Sequence, residues 1–366
     1  MFIPTSPTLN PLLALKALFS GKLEPKNRLM YFSFARAGLI TAIESIRFNN
    51  GIAGKSNIWL PAYICDTVVI ILREYSVNCK YYKVTADLKP DFDALEKEDV
   101  CPGDFFLLVH YFGFSISQKE TIDFCMRKQL YLIEDCAHSI VKNIGKSKIG
   151  TQGDAGIFGL RKALPIPNGG ILFLKEGKFV LPKTLFSYPS EYRGILKMIL
   201  QWFFQKIGIS WSARHNFVNK NNYPTMPKNY YFFNCRESIS KWSEKIIAAT
   251  NLTRVSNCRR ENFQFLHDNL SYIESIKIPS SLTLDNQEIV PWIFFFYHAQ
   301  SEKVINMLIE NGISASTFPT LPSDVFNNPD WATENAMYRS GITLPIHQDV
   351  TLIQMQKMVN LLKKYA

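Results

Sequence analysis

Between Arg36 and Gly170 short apolar runs alternate with segments of helical period, and this alternation constrains the fold more than any other feature. "NIWLPAY", "DFFLLVHYFG", "LYLIEDCAH", "AGIFGL" and "GGILFLK" read as buried strands. "QKETIDFCMRKQ" has helical period, and "TVVIILREY" starts a helix or forms a second buried segment. Strands separated by helices need crossover connections. The pattern therefore predicts an α/β fold with a mostly parallel central sheet and helices on both faces.

Beyond that stretch the chain changes character. Residues 180–235 are loop-rich, aromatic and basic. A long helical stretch from Arg236 to Leu270 follows, then a strand, "IVPWIFFFYHA", and a helix, "SEKVINMLIENG". A loop with several prolines and a last helix from Thr351 finish the chain. At 366 residues the chain exceeds what one compact core usually holds. The expected division is a large domain over 1–235, with an N-terminal arm over 1–27, and a smaller C-terminal α+β domain over 236–366.

The formal net charge is +10, but Lys and Arg are scattered and no dense basic tract occurs. A nucleic-acid partner is not expected from that distribution, whereas a phosphate-bearing small molecule is compatible with it. The seven cysteines form no CxxC pair and no cluster with zinc spacing, so no metal site is expected. Prolines at 4, 7 and 11 occupy the place of a secretory apolar run, so reduced thiols and a cytoplasmic location are expected. The most membrane-like stretch, Gly194 to Trp211, is interrupted by Lys197, Gln201, Gln205 and Lys206. It reads as an amphipathic helix packed on the protein, with no membrane contact expected.

In parallel sheets ligands bind outside the carboxyl ends of the strands. Three strand ends carry polar residues: His110, Glu134–Asp135 and Arg161–Lys162. Asp135 ends a buried run, where an unpaired charge is costly and a cationic partner would suit it. A helix cap or a metal ligand is the alternative. Glu134 beside it points to the opposite face and does different work. His138 follows three residues later; it is a structural histidine or a hydrogen-bond donor in the site. Lys162 stands in a stiff segment with Pro165, Pro167 and Asn168-Gly169-Gly170, where a dry cavity would make it nucleophilic. Arg161 is the rival cation, for phosphate, substrate or a salt bridge. Near the start, "FSFARAGLITAIESI" places Ala35, Ala37 and Gly38 at the opening of a helix, a possible phosphate cradle.

Taken in order, "WLPAYIC", "LVHYFG", "LIEDCAHS", "GTQGDAGIF", a lysine followed by "NGG", and "ITLPIHQDVT" resemble the DegT-type sugar aminotransferases, from about Phe32 to the end of the chain. "EDCAH" and "LPIHQ" are the most specific of these motifs. The resemblance implies a fold-type-I transferase dependent on pyridoxal 5'-phosphate (PLP). It implies Lys162 as the Schiff-base lysine and proton shuttle, Asp135 at the pyridine nitrogen, and His138 near the phenolic oxygen. Ala35 and Arg36 fall at the family's phosphate-binding turn. Asn234 and Arg236 resemble an Asn-x-Arg whose Asn reaches the neighbouring subunit's phosphate, so a homodimer with shared active sites is implied. The implied substrates are an amino-acid donor, glutamate, and a keto-sugar carried on a nucleotide, in surface polysaccharide or glycan biosynthesis.

The sequence also departs from the family. Ala35 stands where the family has Gly, and Gly159 where it has a phosphate-binding Ser. The segment from Gly153-Asp154 to Lys162 is two residues shorter than usual. Tyr63 or Cys65 occupies the place of the aromatic that stacks on the cofactor ring. Lys162 argues against the family's dehydratases, in which histidine replaces that lysine. The alternative function is a non-catalytic or differently reacting paralogue that binds the cofactor or a sugar nucleotide. A nucleotide-binding dehydrogenase is not supported, because no GxGxxG follows the first strand.

Overall fold

The computed structural model describes residues 2–21, 23, 28–54, 56–140, 144, 147–180, 191–206 and 237–365. A short helix α1 (Pro11–Leu18) precedes strand β1 (Leu29–Phe32), and helix α2 (Ala35–Asn49) follows it. Strand β2 (Asn57–Pro61), helix α3 (Asp66–Glu74) and strand β3 (Asn78–Tyr82) come next, then a one-turn helix α4 (Phe92–Leu95). Strand β4 (Phe105–Val109), helix α5 (Gln118–Lys128), strand β5 (Tyr131–Cys136), strand β6 (Ala155–Phe158) and strand β7 (Gly170–Leu174) complete the large sheet. Every residue of β4 and β7 is buried, as are all but the first of β5, which is why these strands read as unbroken apolar runs.

The seven strands lie in the order β1-β7-β6-β5-β4-β2-β3. β7 runs antiparallel to both neighbours, and the remaining pairings are parallel. The sheet is therefore mostly parallel, with helices packed around it. Strands β2, β4, β5 and β6 all end at one edge, and β1 leads into α2 at the same edge. That convergence positions the site.

The rest of the described chain holds helices α6 (Glu191–Lys206), α7 (Lys241–Ala249) and α8 (Leu252–Leu270), strand β8 (Ile293–Tyr297), helices α9 (Ser301–Glu310) and α10 (Ala332–Ser340), strand β9 (Gly341–Pro345) and helix α11 (Leu352–Lys364). The stretch from Arg236 to Leu270, read as one helical run, is two helices. The Ser240 hydroxyl caps α7, and Asn251 accepts from Arg254 N–H to cap α8, so the chain turns at Thr250–Asn251. Strands β8 and β9 pair antiparallel in a second, two-stranded sheet. The first residues pack against this part of the chain: Ile3 bridges Ile313, and the Thr8 N–H donates to Asp349.

Helix α6 covers most of the membrane-like stretch. Ile195 is buried, whereas Leu196 and Phe203 face out at 60% and 55% exposure. Among the described residues no helix is long and apolar enough to cross a membrane.

Candidate active site

Asp135, Lys162, His138, Ala35 and Arg36 all line one cavity of about 320 Å³ at the carboxyl edge of the large sheet. This size lies within the usual range for small-molecule sites. Asn234 and Arg236 lie outside the described residues. His110 and Glu134 are absent from the lining.

Asp135 sits at the end of β5 with its side chain turned to the cavity, and its Oδ1 accepts from the Ala137 N–H at 2.8 Å. Burial raises its pKa, opposed by the nearby charge of Lys162. A carboxylate in such a place is stabilised by a cation beside it. Glu134 points the other way. Its Oε2 accepts from His110 Nε2–H at 2.8 Å, from the Gln118 amide at 2.7 Å and from Gly150 N–H at 3.1 Å. Its Oε1 accepts from the N–H groups of Gln152 and Gly153 at 2.7 and 2.9 Å. Burial alone would raise this carboxyl. The His110 bond and charge, with the Gly153 N–H and the Gln118 amide, outweigh it and hold the pKa below the ordinary value. His110, Glu134 and Cys136 bring ligand-type atoms within 4.8 Å of one another, but these five donors already occupy both Glu134 oxygens. The cluster is a clamp on the loop that closes between β5 and β6.

Lys162 ends a short 3-10 turn after β6. Burial is the main cause that lowers its pKa to about 8; Asp135 and Cys65 raise it, and Arg161 and Arg36 lower it further. An amine with this pKa can lose and regain a proton near neutral pH. Arg36 and Arg161 both place their guanidinium carbons 5.7 Å from the centre of the Phe34 ring, at the side of the cavity where α2 begins. The start of α2 thus borders the cavity with two cations beside it.

His138 is boxed by aromatic rings. Trp292 stacks on it at 4.5 Å between centroids, Phe112 lies nearly parallel at 6.0 Å, and Phe318 stands edge-on at 5.0 Å. Its Nδ1 accepts from the Phe112 N–H at 3.2 Å. Burial and the charge of Lys162 push its pKa well down, so the ring is neutral. A neutral imidazole that accepts at Nδ1 carries its proton on Nε2, and that N–H is the donor it presents.

Gly159 stands where the turn leaves no room for a side chain. A Cβ at this position would lie 2.8 Å from the Ala137 carbonyl oxygen and 3.2 Å from the Ala137 Cα. No side chain enters without displacing the turn that carries Asp135 and His138. Tyr63, considered for stacking on a ligand ring, lines the cavity but donates its hydroxyl to the Phe318 carbonyl. Cys65 also lines the cavity, with its thiol 3.1 Å from the Thr67 hydroxyl.

Residues 89–198 match the model of the DegT/DnrJ/EryC1/StrS aminotransferase family. That stretch of the chain carries the family's sequence pattern. No curated protein sequence matches the chain. Solved structures of similar fold include an aminotransferase, TlmJ, from Streptoalloteichus hindustanus, at 15% identity and a TM-score of 0.66, covering 100% of this chain and 98% of that one. Another is the Helicobacter pylori aminotransferase PseC, involved in pseudoaminic acid biosynthesis, at 16% identity and a TM-score of 0.67, covering 99% and 98%. A GDP-4-keto-6-deoxymannose-3-dehydratase with bound GDP-perosamine has a TM-score of 0.66 at 15% identity, covering 99% of this chain and 100% of that one. At these identities the structures establish a common fold, and function rests on the site. The family match covers β4, α5, β5, β6 and β7, which contribute Asp135, His138 and Lys162.

Sequence reasoning missed three residues that shape this site. Trp292 and Phe318 come from beyond residue 290, and Phe112 sits in the turn after β4. Trp292 stands at the head of an apolar strand, where its ring reads as core. The proline before it was the one local sign of a turn.

Proposed function

We propose that this chain is a PLP-dependent aminotransferase. It would move an amino group from an amino acid, glutamate, to a keto-sugar carried on a nucleotide, in a cytoplasmic route to surface polysaccharide or glycan. The observation that carries the reading is the convergence of Lys162, Asp135 and His138 on one cavity. Their chemistry fits the cofactor: a buried carboxylate in want of a cation, a neutral imidazole donor, and an amine of lowered pKa. When bound, PLP supplies the electron sink that lets an amino-acid carbon give up a proton.

In this reading Asp135 holds the ring nitrogen, His138 Nε2–H the phenolic oxygen, and the start of α2 with Arg36 the phosphate. Lys162 takes a proton at Nζ from one carbon and returns it to another. Tyr63, Tyr111, Trp292 and Phe318 wall the cavity and exclude water. Residues 1–235, with the arm 1–27, would form the cofactor-binding domain, and 236–366 the smaller domain. A homodimer with shared sites completes the phosphate cradle through Asn234.

The test is direct. Purified protein supplied with PLP should absorb above 400 nm, and borohydride should remove the band and fix the cofactor on the peptide containing Lys162. An adduct on another lysine sinks the assignment. A second reading, a cofactor-binding paralogue without turnover, is favoured by the closed position at Gly159. It predicts the same adduct with no transamination of any nucleotide-linked keto-sugar.

A further inference from the structure

Trp292 lies one residue before β8, partly open to the cavity, and three of its groups each hold a different part of the site. Its backbone N–H donates to the Phe112 carbonyl at 2.7 Å. Its indole Nε1–H donates to the carbonyl of Lys162 at 3.0 Å. Its ring stacks on His138 at 4.5 Å and faces the Lys162 ammonium, with Nζ 5.0 Å from the ring centre.

Trp292 is itself held from behind. Arg259 of α8 has no exposed surface, and its guanidinium donates to the Trp292 carbonyl at 2.7 Å and to the Ala163 carbonyl at 3.0 Å. Gln348 accepts from its Nε at 3.1 Å. The carbonyls of Lys162 and Ala163, at the root of the reactive amine, are thus both held by side chains from beyond residue 250.

Phe112 adds a second link. Its φ of 56° places it in the left-handed region that bulky L-residues rarely occupy. That conformation aims its N–H at His138 Nδ1 and its carbonyl at the Trp292 N–H. Non-glycine residues persist in this region where surrounding contacts over-determine them. Here those contacts are the His138 and Trp292 bonds and a stacked Phe295 at 4.6 Å.

From this geometry we infer that Trp292 is a positioning residue for the reaction: anchored by Arg259, it fixes the backbone from which Lys162 projects and shields the face of the His138 ring from water. The inference rests on the roles proposed above for Lys162 and His138. A core tryptophan would need only buried area. Trp292 is partly exposed, and both of its N–H groups and its carbonyl are spent on the site or its anchor.

Two variants in cofactor-free protein separate its functions. Trp292→Phe keeps a ring over His138 but removes the donor to Lys162. Amide exchange across Leu160–Leu164 should then quicken roughly tenfold, the scale of one lost hydrogen bond. The titration of His138, followed by its imidazole nitrogen resonances, should stay as in the wild type. Trp292→Leu removes donor and ring; exchange should quicken in the same segment, and His138 should titrate closer to its ordinary value as water reaches it.

Exchange unchanged at Leu160–Leu164 in Trp292→Phe overturns the inference, and so does faster exchange spread evenly over the chain. An unmoved His138 titration in a folded Trp292→Leu protein does the same. If Trp292→Leu does not fold, the exchange in Trp292→Phe decides. These readouts need no cofactor, so a failure here with a borohydride adduct on Lys162 counts against Trp292 alone. An adduct elsewhere counts against the proposed activity.

Discussion

Glu134 and Asp135 are neighbours in the chain, yet their carboxyl groups serve opposite faces of β5. The side-chain period of a strand is two, so one carboxylate reaches the cavity and the other the loop behind it. Burial weighs on both. Glu134 is surrounded by five donors and its pKa falls, whereas Asp135 has one backbone N–H and the charge of Lys162, and its pKa rises. One is a satisfied structural anion. The other is an anion in want of a cation, which is the state a pyridinium site needs.

Glu134→Gln should therefore be a stability variant. It places an NH₂ donor against N–H groups that need an acceptor, and the cost should be about 3 kcal/mol in urea unfolding. The pH dependence has a definite sign. A carboxyl whose folded pKa is depressed contributes stability that is present above its unfolded value and lost as the pH falls through the folded one. The wild type should thus lose stability in acid, below about pH 4, and the Gln variant should show a flatter curve there. Equal acid sensitivity in both would contradict this account of Glu134.

Much of the sheet was legible because β2, β4, β5 and β7 bury most of their residues and leave unbroken apolar runs. Strand β3 was missed because "NCKYY" is largely half-buried and mixed in polarity, as edge strands are. Strand β1 and helix α10 were missed on similar grounds of partial burial. Lys162, Asp135 and His138 were legible because they follow apolar runs within a short span of chain. The aromatic box was not. Phe112, Trp292 and Phe318 meet around His138 from sites some 200 residues apart, and nothing local marks a ring that stacks on a distant imidazole.

Asp135→Asn should separate cofactor capture from chemistry. The variant keeps the shape and an acceptor for the Ala137 N–H but loses the charge. Since that charge raises the Lys162 pKa, the midpoint of Lys162 acylation in cofactor-free protein should fall below that of the wild type. If Asp135 holds the cofactor ring nitrogen as proposed, transamination should collapse by several orders of magnitude, because that nitrogen would lose its counter-ion. An unmoved midpoint would show that the two groups are not in electrostatic contact.

Gly159→Ser tests whether the family's hydroxyl can be restored. Its Cβ would meet the Ala137 carbonyl at 2.8 Å, so the turn from Asp135 to His138 must shift. Overpacking of this kind costs about 1–3 kcal/mol. Thermal unfolding should register that loss, and PLP affinity should fall rather than rise. Tighter binding in the serine variant would mean that the turn can yield and that the cradle lacks only a donor.

The last prediction concerns assembly. In the proposed site, with Gly159 closed to a hydroxyl, the start of α2, Arg36 and Arg161 would receive the phosphate, and Asn234 is the candidate to complete the cradle from a neighbouring subunit. If each site is shared across a two-fold axis, cofactor affinity must rise with assembly, because a ligand that binds only the dimer stabilises it. Lys162→Ala and Asn234→Ala subunits should each be inactive as homodimers. In a mixed dimer of the two, one site carries both lesions and the other carries neither, so activity should return toward half that of the wild type on the unlesioned site. The hybrid can be isolated with two different affinity tags, so the amount of mixed dimer is measured and not assumed. Recovery in the hybrid identifies the shared site. A confirmed hybrid with no more activity than its parents would assign Asn234 to its own subunit or to no site at all, and a stable monomer that holds PLP tightly would remove the need for a partner.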